Sequence, residues 1–205
     1  MAKEKIVYDT LEFEKQEQSK GATLIAGVDE VGRGPLAGPV VVASVIMPTD
    51  ELIEGVDDSK KLSEKKREKL YPLILEKAIC YNLAVVDEKT IDEINILEAT
   101  KKAMKEAITG METTPEVVLI DAVKLDVPVR TVSIIKGDQR SYNISCASII
   151  AKVYRDRMMN EYAKVYPEYG FERNKGYGTK EHIEAIEKYG ATPIHRKTFI
   201  TKFVK

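Results

Sequence analysis

Asp29 and Glu30 stand side by side at the end of an apolar segment and run directly into Val31-Gly32-Arg33-Gly34-Pro35-Leu36-Ala37-Gly38-Pro39. Carboxylates placed against apolar neighbours carry a desolvation cost that a hydrogen-bond donor or a cation must offset. The glycines remove the side chains that would keep a ligand from the main chain, and exposed amides in such a turn favour anions. A carboxylate pair alone repels phosphate, so both features fit one site when divalent cations stand between them. Two further acids end apolar segments: Asp121 closes Val117-Val118-Leu119-Ile120, and Asp138 follows the segment 131–135. Strand ends of one sheet lie together, so the four acids could converge. Carboxylates around two ions about 3.5–4 Å apart are what in-line phosphodiester displacement requires. Taken singly, Asp121 and Asp138 read more simply as turn or helix caps; the doublet does not. One geometric objection stands. Consecutive strand residues face opposite sides, so Asp29 and Glu30 share a site only if the strand bulges or twists out, or if one contributes through its carbonyl. Neither GxxxxGK[ST] nor GxGxxG is present, which argues against a nucleotide loop.

The elements that must position these acids are legible from periodicity. Segments 23–29 and 39–47 are β-branched and apolar and read as two buried strands joined through the glycine turn. Ser63 is expected to cap a helix that buries Leu70, Leu73, Ile74 and Ile79. A strand at 81–86 follows, then a helix over 90–109 capped at Thr90, broken near Asn95 and stopped by Gly110. Segments 117–122 and 127–135 read as neighbouring strands. A long helix over 145–166 places Ala147, Ile150, Ala151, Tyr154 and Met158 on one face, and Pro167 closes it. A turn-rich loop over 169–179 leads to a last helix at 180–189 and a basic tail. Residues 1–20 are charged and read as a peripheral helix or arm ending at Gly21; residues 21–205 form one unit. The class is α/β, with a mixed sheet covered by helices.

With 205 residues, 43% of them hydrophobic, the chain can bury a real core. Its formal net charge of −1 offers no global attraction to nucleic acid. The charge is uneven, however. Residues 136–205 carry 14 Lys or Arg against 8 Asp or Glu, whereas residues 50–116 carry 16 acids against 11 bases. The basic third is therefore the expected substrate side. Cys80 and Cys146 form no CxxC, so neither zinc nor a disulfide framework is indicated. No apolar run approaches the ~20 residues of a membrane span, and no signal pattern opens the chain. A cytoplasmic protein without a membrane partner is expected.

Six segments together carry a family resemblance: GVDEVGRGPLAGPVVVASV from Gly27, Asp58-Ser59-Lys60-Lys61-Leu62, VLIDA around Asp121, Lys136-Gly137-Asp138, SCASIIAKVYRDRMM from Ser145, and Gly176-Tyr177-Gly178-Thr179. In order, over about residues 21 to 199, they resemble bacterial ribonuclease HII. The resemblance implies a ribonuclease H-like fold with a central mixed β-sheet flanked by helices and a C-terminal helical portion from about residue 160. It also implies hydrolysis of the RNA strand of RNA/DNA hybrids and incision 5′ of single ribonucleotides in duplex DNA, with two Mn²⁺ or Mg²⁺ ions and 5′-phosphate and 3′-hydroxyl products. Asp29, Glu30, Asp121 and Asp138 match the family's catalytic and metal-holding acids. Gly32, Arg33 and Gly34 match the turn whose backbone reads the 2′-hydroxyl, and Tyr177 matches the tyrosine at the RNA-to-DNA junction. The related ribonuclease HIII usually has an added N-terminal domain and lacks the arginine of this turn, neither of which fits.

Lys60 is carried as a substrate contact, and Lys61, Lys136, Lys152, Arg173 and Lys175 are weaker phosphate candidates. Asp156 is expected to pair along its helix, and His182 and His195 to be structural. A monomer is expected. Two other readings remain at this point: a metal-dependent DNA nuclease or resolvase of similar fold, and a non-catalytic nucleic-acid-binding module.

Overall fold

The computed structural model describes residues 9–121 and 123–204. The first eight residues of the expected arm, the Ala122 end of the expected fourth strand and the last residue of the basic tail lie outside them. Strands β1 (Ile25–Val31) and β2 (Val40–Ile46) are the two apolar segments flanking the glycine turn, and they pair antiparallel from Ala26↔Ile46 to Val31↔Val41. β3 (Cys80–Val86) adds antiparallel to β2, while β4 (Val117–Asp121) runs parallel to β1 and β5 (Arg130–Ile134) parallel to β4. The order β3-β2-β1-β4-β5 places β1 at the centre of a five-stranded mixed sheet. All residues of β2 are buried, as expected of a strand covered on both faces.

Helices α2 (Glu64–Lys77) and α5 (Tyr142–Val165) cover one face, and α3 (Glu88–Thr109) covers the other. Ser63 caps α2 by accepting from the Lys66 amide, as its sequence predicts. Leu70 and Ile74 are buried, but Leu73 is 44% exposed and Ile79 52% exposed. The helix buries a narrow stripe, and Ile79 falls after its end. Asp87, not Thr90, caps α3, because its carboxylate accepts the Thr90 amide. The expected break is present: Asn95 has φ 68° and ψ 164°, and its Oδ1 accepts the Leu97 and Glu98 amides, restarting the helix as a cap would. Gly110 ends α3. α5 begins three residues earlier than its periodicity indicates, since Ser141 accepts the Ile144 amide and caps it.

A short helix α1 (Glu12–Gln18) lies in the charged N-terminal segment, and two of its glutamates are buried. Glu14 accepts the Ser141 hydroxyl at 2.6 Å and the Asn143 amide at 3.1 Å, which ties α1 to the start of α5. Glu17 pairs with Arg130 of β5. After α5, the turn Pro167–Tyr169 and helices α6 (Phe171–Asn174), α7 (Lys180–Tyr189) and α8 (Lys197–Ile200) pack around Phe171, Tyr169 and Ile186 as a separate small core. α4 (Gly137–Arg140) is a single turn between β5 and α5.

Candidate active site

Parallel pairing explains how distant acids meet. The last β1–β4 pair is Val28↔Ile120, so Asp29 and Asp121 each follow it directly, on adjacent strands. Asp121 in turn pairs with Ile134 of β5, after which Lys136 adopts a left-handed conformation (φ 59°) and turns the chain into α4. That turn brings the Gly137 amide to within 2.9 Å of Asp121 Oδ1, to which it donates, and sets the buried Asp138 next in the chain. The β1–β2 register stays regular through Val31↔Val41, so the doublet occupies no bulge. β1 instead runs beyond the end of its pairing with β4, and both Asp29 and Glu30 feel the charge of Asp121.

α5 supplies the support beneath the site. A Cβ at Gly27 would stand 2.2 Å from the Asn143 carbonyl carbon, so only glycine lets α5 meet β1 this closely. The following helix positions deliver two serines. Ser148 hydrogen-bonds the Asp29 carboxylate and lies 2.7 Å from the Ser59 hydroxyl, while the Ser145 hydroxyl donates to the Asp138 carbonyl at 2.9 Å. None of these serines was singled out from the sequence. The available signal was the spacing of Ser145 and Ser148, three residues apart and so on one face of a helix that is otherwise apolar there.

The charges are poorly compensated. Burial, then the neighbouring Glu30 charge, hold the Asp29 carboxyl well above the ordinary carboxylate range, and Asp121 adds to this. Burial raises Glu30 as well, against the opposing pull of Arg33, whose Nη1 is 3.4 Å away. Burial and the Asp58 charge raise Asp138, opposed by Lys60 at 3.3 Å. Despite its own partial burial, the Lys60 ammonium is held above its usual range by Asp138, Asp29 and Asp58. Lys60 thus stands on the carboxylate cluster. Among the described residues, no three histidine, cysteine or carboxylate side chains converge tightly enough to ligate one ion in this arrangement. The donor chemistry nonetheless suits a hard divalent cation: oxygen donors only, clustered, with mutual repulsion that added positive charge would relieve.

The glycine turn borders this cluster and is held from behind by two fully buried arginines. Arg155 of α5 donates to the carbonyls of Pro39, Ala37 and Lys175 at 2.9–3.0 Å. Arg196 donates to those of Gly32, Arg33 and Gly38 at 2.5–3.0 Å. With its carbonyls drawn inward, the turn 32–38 is fixed in shape. Gly32 has φ +95°, and a Cβ there would meet Arg155 at 2.4 Å, whereas a Cβ on Gly34 would meet only the Tyr177 ring, at 3.7 Å. Tyr177 and Gly34 of the turn, 143 positions apart in sequence, therefore face each other, with Tyr177 44% exposed.

Four of the other basic candidates are engaged: Lys61 pairs with Asp57 at 3.1 Å, Lys152 with Asp156 at 2.6 Å, Arg173 with Glu172 and Glu181, and Lys175 with Asn160 at 2.5 Å. Asp156 also faces Arg67 at 3.6 Å, so its pairing extends beyond its own helix. His182 and His195, expected as separate structural histidines, contact each other at 3.0 Å.

A sequence-family model of ribonuclease HII matches residues 26–202, nearly the whole described chain. The chain belongs to the ribonuclease HII family. It is 57% identical to the ribonuclease HII of Ruminiclostridium cellulolyticum over 196 residues, covering 95% of this chain and 77% of that protein. Its fold matches the crystal structure of ribonuclease H2 from Pyrococcus horikoshii with a TM-score of 0.74 and 30% identity, over 88% of this chain and 97% of that one. At the level of fold alone it also resembles Bst-RNase HIII, solved in complex with Mn²⁺ (TM-score 0.64, 19% identity, 82% and 61% covered). Membership of the ribonuclease HII family makes this chain a ribonuclease H hydrolase, an endoribonuclease of RNA/DNA hybrids, on the α/β fold anticipated from its motifs.

Proposed function

We propose that this ribonuclease HII family member incises duplex DNA on the 5′ side of an embedded ribonucleotide, as well as the RNA strand of hybrids, and leaves 5′-phosphate and 3′-hydroxyl ends. The observation that carries the reading is the juxtaposition of the carboxylate cluster, the Gly32-Arg33-Gly34 turn and Tyr177 on one edge of the molecule. Asp29, Glu30, Asp121 and Asp138 would hold two divalent ions, Mg²⁺ or Mn²⁺. Such ions, when bound, supply positive charge that activates the attacking water and stabilises the leaving 3′ oxygen.

The chain's own residues do the rest. Ser148 orients the Asp29 carboxylate, and the Gly137 amide orients that of Asp121. Gly34 has no Cβ, so a sugar edge can reach the main chain beside Tyr177. The backbone of Gly32, Arg33 and Gly34 reads the 2′-hydroxyl, which only ribose offers, and the Tyr177 ring packs on the following deoxyribose. Lys60, more than three-quarters exposed along its side chain, can turn from Asp138 to a phosphate as substrate arrives. We place the protein in the cytoplasm as a monomer, with residues 21–205 as the catalytic unit and the N-terminal segment as a peripheral helix packed on it. Among the described residues no helix is long and apolar enough to cross a membrane.

The test is a labelled duplex with one ribonucleotide and its all-DNA twin, each with and without Mn²⁺. A single cut 5′ of the ribonucleotide, dependent on metal and absent from the twin, is expected. Cleavage of the twin would instead favour a DNA nuclease, and failure to cut either with metal present would refute the reading.

A further inference from the structure

The loop that carries Tyr177 is tied to the C-terminal segment by a continuous chain of hydrogen bonds. The Tyr177 carbonyl lies 2.9 Å from Nδ1 of His182, on α7. Nε2 of His182 lies 3.0 Å from Nε2 of His195. Nδ1 of His195 lies 2.9 Å from the Thr192 amide. A backbone amide can only donate, so His195 Nδ1 must accept and its proton resides on Nε2. That proton is donated to His182 Nε2, which leaves the His182 proton on Nδ1, aimed at the Tyr177 carbonyl. One backbone amide thereby settles the tautomer of both rings and gives the chain a single direction, from Thr192 to Tyr177. Both imidazoles are buried against the stacked rings of Tyr169 and Phe171, edge-on or tilted to them, at centroid distances of 5.1–6.3 Å.

The same segment grips the opposite side of the ribose reader. The Ile194 carbonyl accepts the Gly38 amide at 2.9 Å, the Arg196 amide donates to the Leu36 carbonyl at 2.9 Å, and His195 bridges antiparallel to Ala37. Arg196 then holds the carbonyls of Gly32, Arg33 and Gly38. Ile194-His195-Arg196 therefore touches both halves of the reader, the turn directly and the tyrosine through His182.

We propose that the Thr192–His195–His182 chain is a positioning relay that sets the Tyr177 ring against the Gly32-Arg33-Gly34 turn, making His182 and His195 specificity-determining positioning residues of the ribonuclease reaction. The inference rests on the reading of Tyr177 and the turn as the sugar-recognition pair. It acts through placement alone: neither imidazole reaches the carboxylates, and neither touches substrate.

The experiment compares cleavage at a ribose–deoxyribose step with cleavage at a ribose–ribose step, as a ratio of kcat/KM values, in folded protein with Mn²⁺. His182→Leu removes the donor to Tyr177 and should lower that ratio by at least fivefold. His182→Asn keeps an amide donor close to where Nδ1 stands and should hold the ratio within twofold of wild type, even where both variants melt at lower temperature. An unchanged ratio in folded His182→Leu would overturn the relay, because a purely structural role lowers stability without moving the ratio. Should His182→Leu fail to fold, His195→Leu against His195→Gln decides in the same way, since glutamine restores a donor toward His182. Tyr177→Ala separates the two levels. If Tyr177→Ala keeps the wild-type ratio, the reading of Tyr177 itself fails. If Tyr177→Ala loses the ratio and folded His182→Leu keeps it, the relay alone fails.

Discussion

If Asp29 holds metal as proposed, stability and function oppose each other at this residue. Its carboxylate is buried and repelled by Glu30 and Asp121, with one serine hydroxyl and the Glu30 amide as partners. Asp29→Asn removes the repelled charge while keeping the shape. Under the proposed metal-holding role of Asp29, we expect cleavage to fall about a thousandfold or more. The metal-free thermal midpoint should stay level or rise. The gain in midpoint that Mn²⁺ gives the wild type should shrink in the variant, and melting curves with and without metal check both points. The turn offers a complementary contrast between two glycines, two and four positions after Glu30. Gly34→Ala meets only ordinary contact with the Tyr177 ring, so it should fold with a midpoint within a few degrees of wild type and lose ribose-dependent cleavage chiefly through KM. Gly32→Ala combines a positive φ with a 2.4 Å clash on Arg155 and should express poorly or unfold.

At the scale of elements, the site depends on how α5 meets the sheet. Gly27 lets the helix backbone rest on β1, and Glu14 of α1 satisfies the Ser141 hydroxyl and the Asn143 amide at its start. Gly27→Ala has no room to relax, since the clash is with backbone. It should cost more than about 3 kcal/mol and move Ser145 and Ser148 away from the acids. Glu14→Leu leaves the Asn143 donor buried without its partner and should cost about 1–3 kcal/mol. Urea denaturation of the two variants measures both. In the second case the charged N-terminal segment, read as an arm remote from chemistry, acts as a brace for the helix beneath the site.

At the scale of the whole molecule, two buried histidines make the fold sensitive to mild acid. Burial, together with the adjacent His182, holds the His195 imidazole down to about 4, and burial lowers His182 in the same direction. Both rings are therefore neutral in the folded protein, while an unfolded histidine titrates near 6.5. A depressed value contributes stability that is present above the unfolded value and is lost as pH falls toward the folded one. For His195 the loss should reach roughly 3 kcal/mol between about pH 6.5 and pH 4. Within that window His195→Gln should show a flatter dependence of unfolding free energy on pH than the wild type, measured by urea melts at stepped pH. An equal slope in both would place the acid sensitivity elsewhere.

Much of the site was legible in order along the chain. The doublet and its glycine turn announce carboxylate chemistry beside an approachable backbone, and the apolar runs ending at Asp29 and Asp121 announce strands that could lay those acids together. Periodicity also located α2, the kink at Asn95 and the stop at Gly110, because caps, glycines and apolar spacing act within a few residues. What acts across the chain was not legible. No local rule joins Tyr177 to Gly34, Ser148 to Asp29, or Arg196 to the carbonyls of a turn more than 150 residues earlier. Nor did the sequence show that the doublet lies in regular strand with no bulge, just beyond the last pair that β1 makes with β4. Sequence by itself determined which groups could hold metal and admit a sugar, since those are properties of residue type and local backbone. Tertiary structure alone decided which of them meet and what keeps them in place, because parallel register and buried hydrogen bonds are relations between segments that no single segment encodes.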